Sequence, residues 1–123
     1  MASNPSTVAA FRAARSRAMP EAELLANVID AAERFGWEWH HSFDSRRSAG
    51  RGMPDLFLAR KAAMIGQPSE LLVVELKTER GQLSPEQSGW LDHFRWAGLE
   101  VAIWRPAQWV SGEIVARLAR REG

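Results

Sequence analysis

The chain has 123 residues, a quarter of them charged, with a formal net charge of +1 at pH 7. That length holds one domain around one core, and the absence of cysteine excludes disulfides and thiolate metal centres. No apolar run is long enough to span a bilayer and no apolar leader opens the chain, and so small a net charge gives no general pull toward polyanions.

Residues 1–19 contain no acidic residue and little apolar pattern beyond Val8 and Phe11; they read as a basic, mobile N-terminal arm preceding a single domain over 20–123. From Pro20 to Phe35, Leu24, Leu25, Val28, Ile29 and Ala32 recur at helical spacing, with Pro20 at the first turn and Gly36 past the end. At about 100° per residue, Glu21 falls in line with Leu25, Val28 and Ala32, the core side. A carboxylate there is costly unless paired or metal-bound; the alternative is that Glu21 favours the helix dipole and bends to solvent. Trp37 to Ser42 reads as a strand, followed by a basic loop with Arg46, Arg47 and Arg51 and then a short buried strand led by Asp55. Residues 60–70 form a connection broken by Gly66 and Pro68, and Leu71–Thr78 (LLVVELKT) is an apolar strand expected at the centre of a sheet. Ser84-Pro85-Glu86-Gln87 opens a second helix as a capping box with proline at its first position. That helix ends near Gly98, a strand follows over Leu99–Trp104, and Ile114, Val115 and Leu118 support a C-terminal helix. The fold class is therefore α/β, in the order α-β-β-β-α-β-α, a mixed central sheet flanked by helices.

The chemistry is concentrated in Gly52-Met-Pro-Asp55 and Glu75-Leu-Lys77. Alternate side chains of a strand share a face, so Glu75 and Lys77 point one way while Leu76 points into the core. Asp55, leading a neighbouring strand, can stand beside Glu75. Two carboxylates and an ammonium on an apolar sheet need a task or a partner. A hard divalent cation relieves the carboxylate repulsion, takes oxygen ligands that include the Leu76 backbone carbonyl, and leaves room for water and phosphate. Such a site lowers the pKa of bound water and polarises a phosphoryl oxygen, with Lys77 neutralising developing charge. The alternative is a plain cross-strand ion pair with Asp55 capping a turn.

Pro54-Asp55 with Glu75-Leu-Lys77 resembles the PD-(D/E)xK nuclease superfamily. Glu21 in the first helix, Gly36-Trp37, Gly52-Met-Pro-Asp-Leu, Glu75-Leu-Lys-Thr, Ser84-Pro-Glu-Gln87-Ser-Gly-Trp-Leu and Gly98-Leu-Glu-Val-Ala-Ile-Trp-Arg-Pro are similar, in that order, to its VRR-NUC branch (virus-type replication–repair nuclease). The resemblance covers residues 21 to about 109. It implies a restriction-endonuclease-like core in which Glu21, Asp55 and Glu75 hold Mg2+ or Mn2+, directly or through water, Lys77 is the catalytic lysine and Gln87 lies in the site. A glutamine at the head of a helix is equally accounted for by the capping box alone. Leu25 departs from the pattern, since glutamine is often found there. The function implied is a metal-dependent endonuclease acting on branched or duplex DNA as a homodimer in the cytoplasm of a bacterial or phage-infected cell. A non-catalytic DNA-binding module with the same fold is the alternative. Arg46, Arg47 and Arg51, next to Asp55 in sequence, are expected to grip the DNA backbone. The six tryptophans are expected mostly in the core or an interface rather than stacked on bases, and His40 and His41 in packing or phosphate contact rather than metal ligation.

Overall fold

Helix α2 (Glu21–Arg34) buries Leu24, Val28, Ala31 and Ala32, the stripe its periodicity demands. Pro20 is extended at its N-cap, and Gly36, at φ 84, turns the chain out of it, a conformation that favours glycine. The computed structural model of the protein describes residues 5–42 and 51–121, with residues 5 and 6 by backbone alone. The basic arm is helical over α1 (Pro5–Ala18).

Four strands follow: β1 (Glu38–His41), β2 (Leu56–Arg60), β3 (Glu70–Leu76) and β4 (Glu100–Trp104), in one sheet of order β1-β2-β3-β4. β1 and β3 each run antiparallel to β2, whereas β3 and β4 are parallel. The parallel pair requires a crossover, supplied by helix α3 (Pro85–Trp96); helices α4 (Pro106–Val110) and α5 (Glu113–Ala119) end the described fold. The α/β architecture with a mixed four-stranded sheet is the one expected, with α1 and α4 added to the anticipated order. β3 stops at Leu76 rather than Thr78, although Lys77 N–H still donates to the Trp104 carbonyl at 3.1 Å.

The two sheet faces bury different things. Leu56, Leu58, Leu72, Val74, Leu76 and Trp104 meet α2 and α5 in one apolar cluster, each leucine contributing about 2 kcal/mol by leaving water. Alternation sends Phe57, Val73 and Glu75 to the opposite face, where Phe57 meets Phe94 of α3 edge-on at 5.7 Å and Leu91 is fully buried.

The end of the sheet at Arg60 and Glu70 is closed by ion pairs. Arg60, only 3% exposed, donates to Glu70 at 2.8 and 3.2 Å and lies 4.3 Å from the Trp37 ring centre, a desolvated cation–π contact. Trp37 itself donates to the Leu118 carbonyl at 2.9 Å. Trp37 and Trp104 are buried as expected, whereas Trp39 is part-exposed and hydrogen-bonded to Glu33, and Trp96 is 90% exposed.

Candidate active site

At the other end of the sheet the antiparallel register pairs Leu56 with Val74, so the residues one step further, Asp55 and Glu75, stand opposite each other. Asp55 is fixed by a bond legible only in three dimensions: its Oδ2 accepts from the Leu76 backbone N–H at 3.0 Å. Glu75 is 1% exposed. Its Oε1 accepts from Gln87 Nε2 at 3.3 Å, while its Oε2 is buried without a donor. The Asp55 carboxyl lies within hydrogen-bonding reach of Glu75, and a proton kept on Glu75 would let that oxygen donate to it. Burial first, then that hydrogen bond and the repulsion of Asp55, push Glu75 up to about 9, with Lys77 opposing.

Glu21 is exposed over much of its surface, yet its carboxyl is held above its ordinary value by partial burial and then by Asp55, again opposed by Lys77. It therefore belongs to the same electrostatic group, as its place on the helix suggested, without being enclosed. Among the described residues no three carboxylate or imidazole groups are gathered tightly enough to enclose a metal ion by themselves. Asp55 and Glu75 converge; Glu21 stands off from them.

Gln87 performs both tasks that the sequence offered as alternatives. Its Oε1 accepts from the Ser84 backbone N–H at 2.9 Å and its backbone N–H donates to Ser84 Oγ at 3.1 Å, completing the capping box. The Nε2 left over is the group that meets Glu75. This amide orientation is forced, because a backbone N–H needs an oxygen and a buried carboxyl oxygen needs a donor.

Gly52 of the expected motif and several residues outside it hold the site together. A Cβ on Gly52 would lie 2.6 Å from the Glu86 carbonyl carbon, and its φ is 86; the strand-leading loop thus seats directly on the first turn of α3. Trp90 Nε1 donates to the Arg51 carbonyl at 3.1 Å, a second fastening of the same loop. Arg105 donates to the carbonyls of Thr78 and Gly81 at 2.7 and 2.6 Å, clamping the turn that follows Lys77. A Cβ on Gly81 would sit 3.5 Å from Lys77 Cδ, so the clamped glycine is a shelf beside the lysine stem. Glu79 completes the turn by accepting from the Ala107 N–H at the head of α4. The Gly52 motif and the Trp-Arg-Pro run were visible in sequence; what they touch was not.

A cavity of about 530 Å³ opens between Arg51, Lys77, Gln82 and the head of α3. Arg51 is exposed at its rim, whereas Arg46 and Arg47 lie outside the described residues. The Leu76 side chain is buried on the core face, which leaves only its backbone near the carboxylates. His40 is exposed on β1 and His41 half-buried, and neither enters a metal-binding group.

Comparison with curated proteins and with solved structures gives no match. A sequence model of the VRR-NUC domain matches residues 19–108, a span that contains Glu21, Asp55, Glu75, Lys77, Gln87 and the Arg105 clamp. Since that match takes in most of the chain and every residue brought together at this end of the sheet, the protein belongs to the VRR-NUC domain family and has a DNA-processing, nuclease-type fold.

Proposed function

We propose that the protein is a metal-dependent DNA endonuclease with Asp55, Glu75 and Lys77 at its centre. The observation that carries this reading is the facing pair Asp55–Glu75 with the orphaned Glu75 Oε2 beside a lysine. The donor set is oxygen only and its two acids repel, which fits a hard cation such as Mg2+ or Mn2+. Asp55 and Glu75 would hold the ion, with the Leu76 carbonyl as a further oxygen and Glu21 acting through water. The ion would supply Lewis acidity and a more acidic water.

The chain's own residues do the rest. Gln87 holds the Glu75 carboxyl, and the Leu76 N–H holds Asp55, so neither has to be ordered when substrate arrives. Lys77, braced by the Gly81 shelf, neutralises charge that grows on the phosphoryl oxygens as a water oxygen bonds to phosphorus and a P–O ester bond breaks. Arg51, with Arg46 and Arg47, binds the flanking backbone.

Each chain carries one such centre, so cutting two strands of a branched DNA calls for a homodimer, in the cytoplasm where DNA is replicated and repaired. Among the described residues no helix is long and apolar enough to cross a membrane.

The raised Glu75 favours a second reading, a DNA-binding module without catalysis, because a carboxyl that keeps its proton is a poor ligand for a cation. Cleavage of end-labelled four-way-junction, flap and duplex DNA with manganese, magnesium or chelator decides between them. Metal-dependent cutting absent from Asp55→Ala supports the enzyme; DNA binding without cutting of any substrate supports the module.

A further inference from the structure

Arginine gathers in three places along the sequence, at Arg12, Arg15 and Arg17, at Arg46, Arg47 and Arg51, and at Arg117, Arg120 and Arg121, and the first and last of these have different fates in the fold. The C-terminal one is engaged away from the site: Arg117 donates to Glu100 at 2.7 and 2.9 Å, and Arg121 to the Lys61 carbonyl at 2.9 Å. The N-terminal one, Arg12, Arg15 and Arg17, lies on α1, a 14-residue helix without an acidic residue. All three side chains are exposed, and among the described residues no ion pair or side-chain hydrogen bond engages them. The helix dipole accounts for cations in a last turn, but its influence fades within that turn. Arg15 and Arg17 stand there; Arg12 does not.

Position distinguishes these arginines from an ordinary solvated face. Helix α1 packs on α4, whose leading N–H holds Glu79 in the turn after Lys77. At its C-terminal end the chain passes through buried Met19 and the Pro20 cap into Glu21. Both attachments lie at the Asp55–Glu75 end of the sheet, opposite the end closed by Arg60 and Glu70. The helix buries little of its own apolar surface, Phe11 being 71% exposed, so core packing does not explain why it lies there.

We propose that α1 is a phosphate-binding element, in which Arg12, Arg15 and Arg17 contact the backbone of duplex DNA beyond the bond being cut. Charge complementarity selects the occupant: three unpaired guanidinium groups on a helix attached at the end of the sheet that, on the reading above, handles a polyanion. Three helical residues rise about 4.5 Å, against about 3.4 Å of axis per phosphate on each DNA strand. Arg12 and Arg15 can therefore take neighbouring phosphates through their flexible stems. Such contacts position DNA without reading its sequence.

The test is binding of the full chain to a labelled duplex by fluorescence anisotropy, in chelator so that nothing is cut, over a salt series. The variants are R12A/R15A/R17A and R12K/R15K/R17K. Alanine and lysine are both good helix formers and the replaced side chains are exposed, so circular dichroism should be unchanged. Each phosphate contact contributes about 0.9 to the slope of log affinity against log salt. The alanine variant should therefore be shallower by about 2 to 3. Over a fourfold rise in salt the wild type would then lose about 40-fold more affinity than that variant, and the lysine variant should follow the wild type. An unchanged slope in the alanine variant overturns the proposal, as does a lysine variant that behaves like alanine or a wild type that does not bind. Manganese added to the same samples separates the two readings. Cutting with an unchanged slope removes only the role of α1; a reduced slope without cutting leaves that role standing and removes the nuclease.

Discussion

Replacing Glu75 with glutamine tests the centre of the site without an activity assay. Glutamine keeps the oxygen that accepts from Gln87 and presents an N–H toward Asp55, imitating the protonated acid. The folded wild type holds Glu75 at about 9 against an ordinary value of 4.5. Below the ordinary value both folded and unfolded chains are protonated and the folded state keeps its full stability. As pH rises from there toward about 9, the unfolded chain releases a proton that the folded chain retains, and stability falls. The limit for one proton is about 1.4 kcal/mol per pH unit, and the interval between 4.5 and about 9 keeps the slope near that limit. Between about pH 5.5 and about pH 8 the wild type should lose about 3 kcal/mol relative to Glu75→Gln. Urea unfolding in chelator at the two pH values measures it. Profiles for the two proteins that stay parallel to within about 0.5 kcal/mol would refute a Glu75 that keeps its proton in the folded state. Adding manganese should then stabilise the wild type by about 3 kcal/mol at a hundredfold excess over its dissociation constant, and leave Glu75→Gln unmoved.

Gln87→Glu should separate the two tasks of that side chain: the cap survives, because glutamate also accepts from Ser84 N–H. The donor to Glu75 is lost and a carboxylate oxygen faces it instead, so cleavage should fall about tenfold and stability by about 1 to 3 kcal/mol. Arg105→Ala leaves the Thr78 and Gly81 carbonyls without their donor and should cost about 2 kcal/mol. It should also lower kcat with KM little changed, while Arg105→Lys restores part of both; equal kcat in all three proteins would show the clamp to be irrelevant to Lys77. Gly52→Ala places a methyl group inside the backbone of α3 at a positive φ and should destabilise by about 2 kcal/mol or more. A melting temperature equal to wild type would contradict the seating of that loop.

What the sequence determined by itself is whatever depends on local periodicity. Alternation through LLVVEL put Leu72, Val74 and Leu76 on the core face and Glu75 on the other, and the 3.6-residue repeat put Leu24, Val28 and Ala32 inward. Capping chemistry located the head of α3. The sequence also singled out Asp55, Glu75 and Lys77 as a candidate centre, since charged residues in or beside an apolar strand demand a reason. Only the tertiary structure decided what those residues touch. The Leu76 N–H on Asp55 spans 21 positions and the Arg105 clamp 24 to 27, and no periodicity encodes such contacts. They follow from sheet register and from how closely a loop can approach a helix. The same limit explains Gln87, whose local role was legible at three residues' range while its bond to Glu75 had to wait for α3 to cross the sheet. It explains the arginines too: clusters alike in sequence become ion-paired struts at one end of the sheet and unpaired charge at the other, because burial and partners, not composition, set what a charge does.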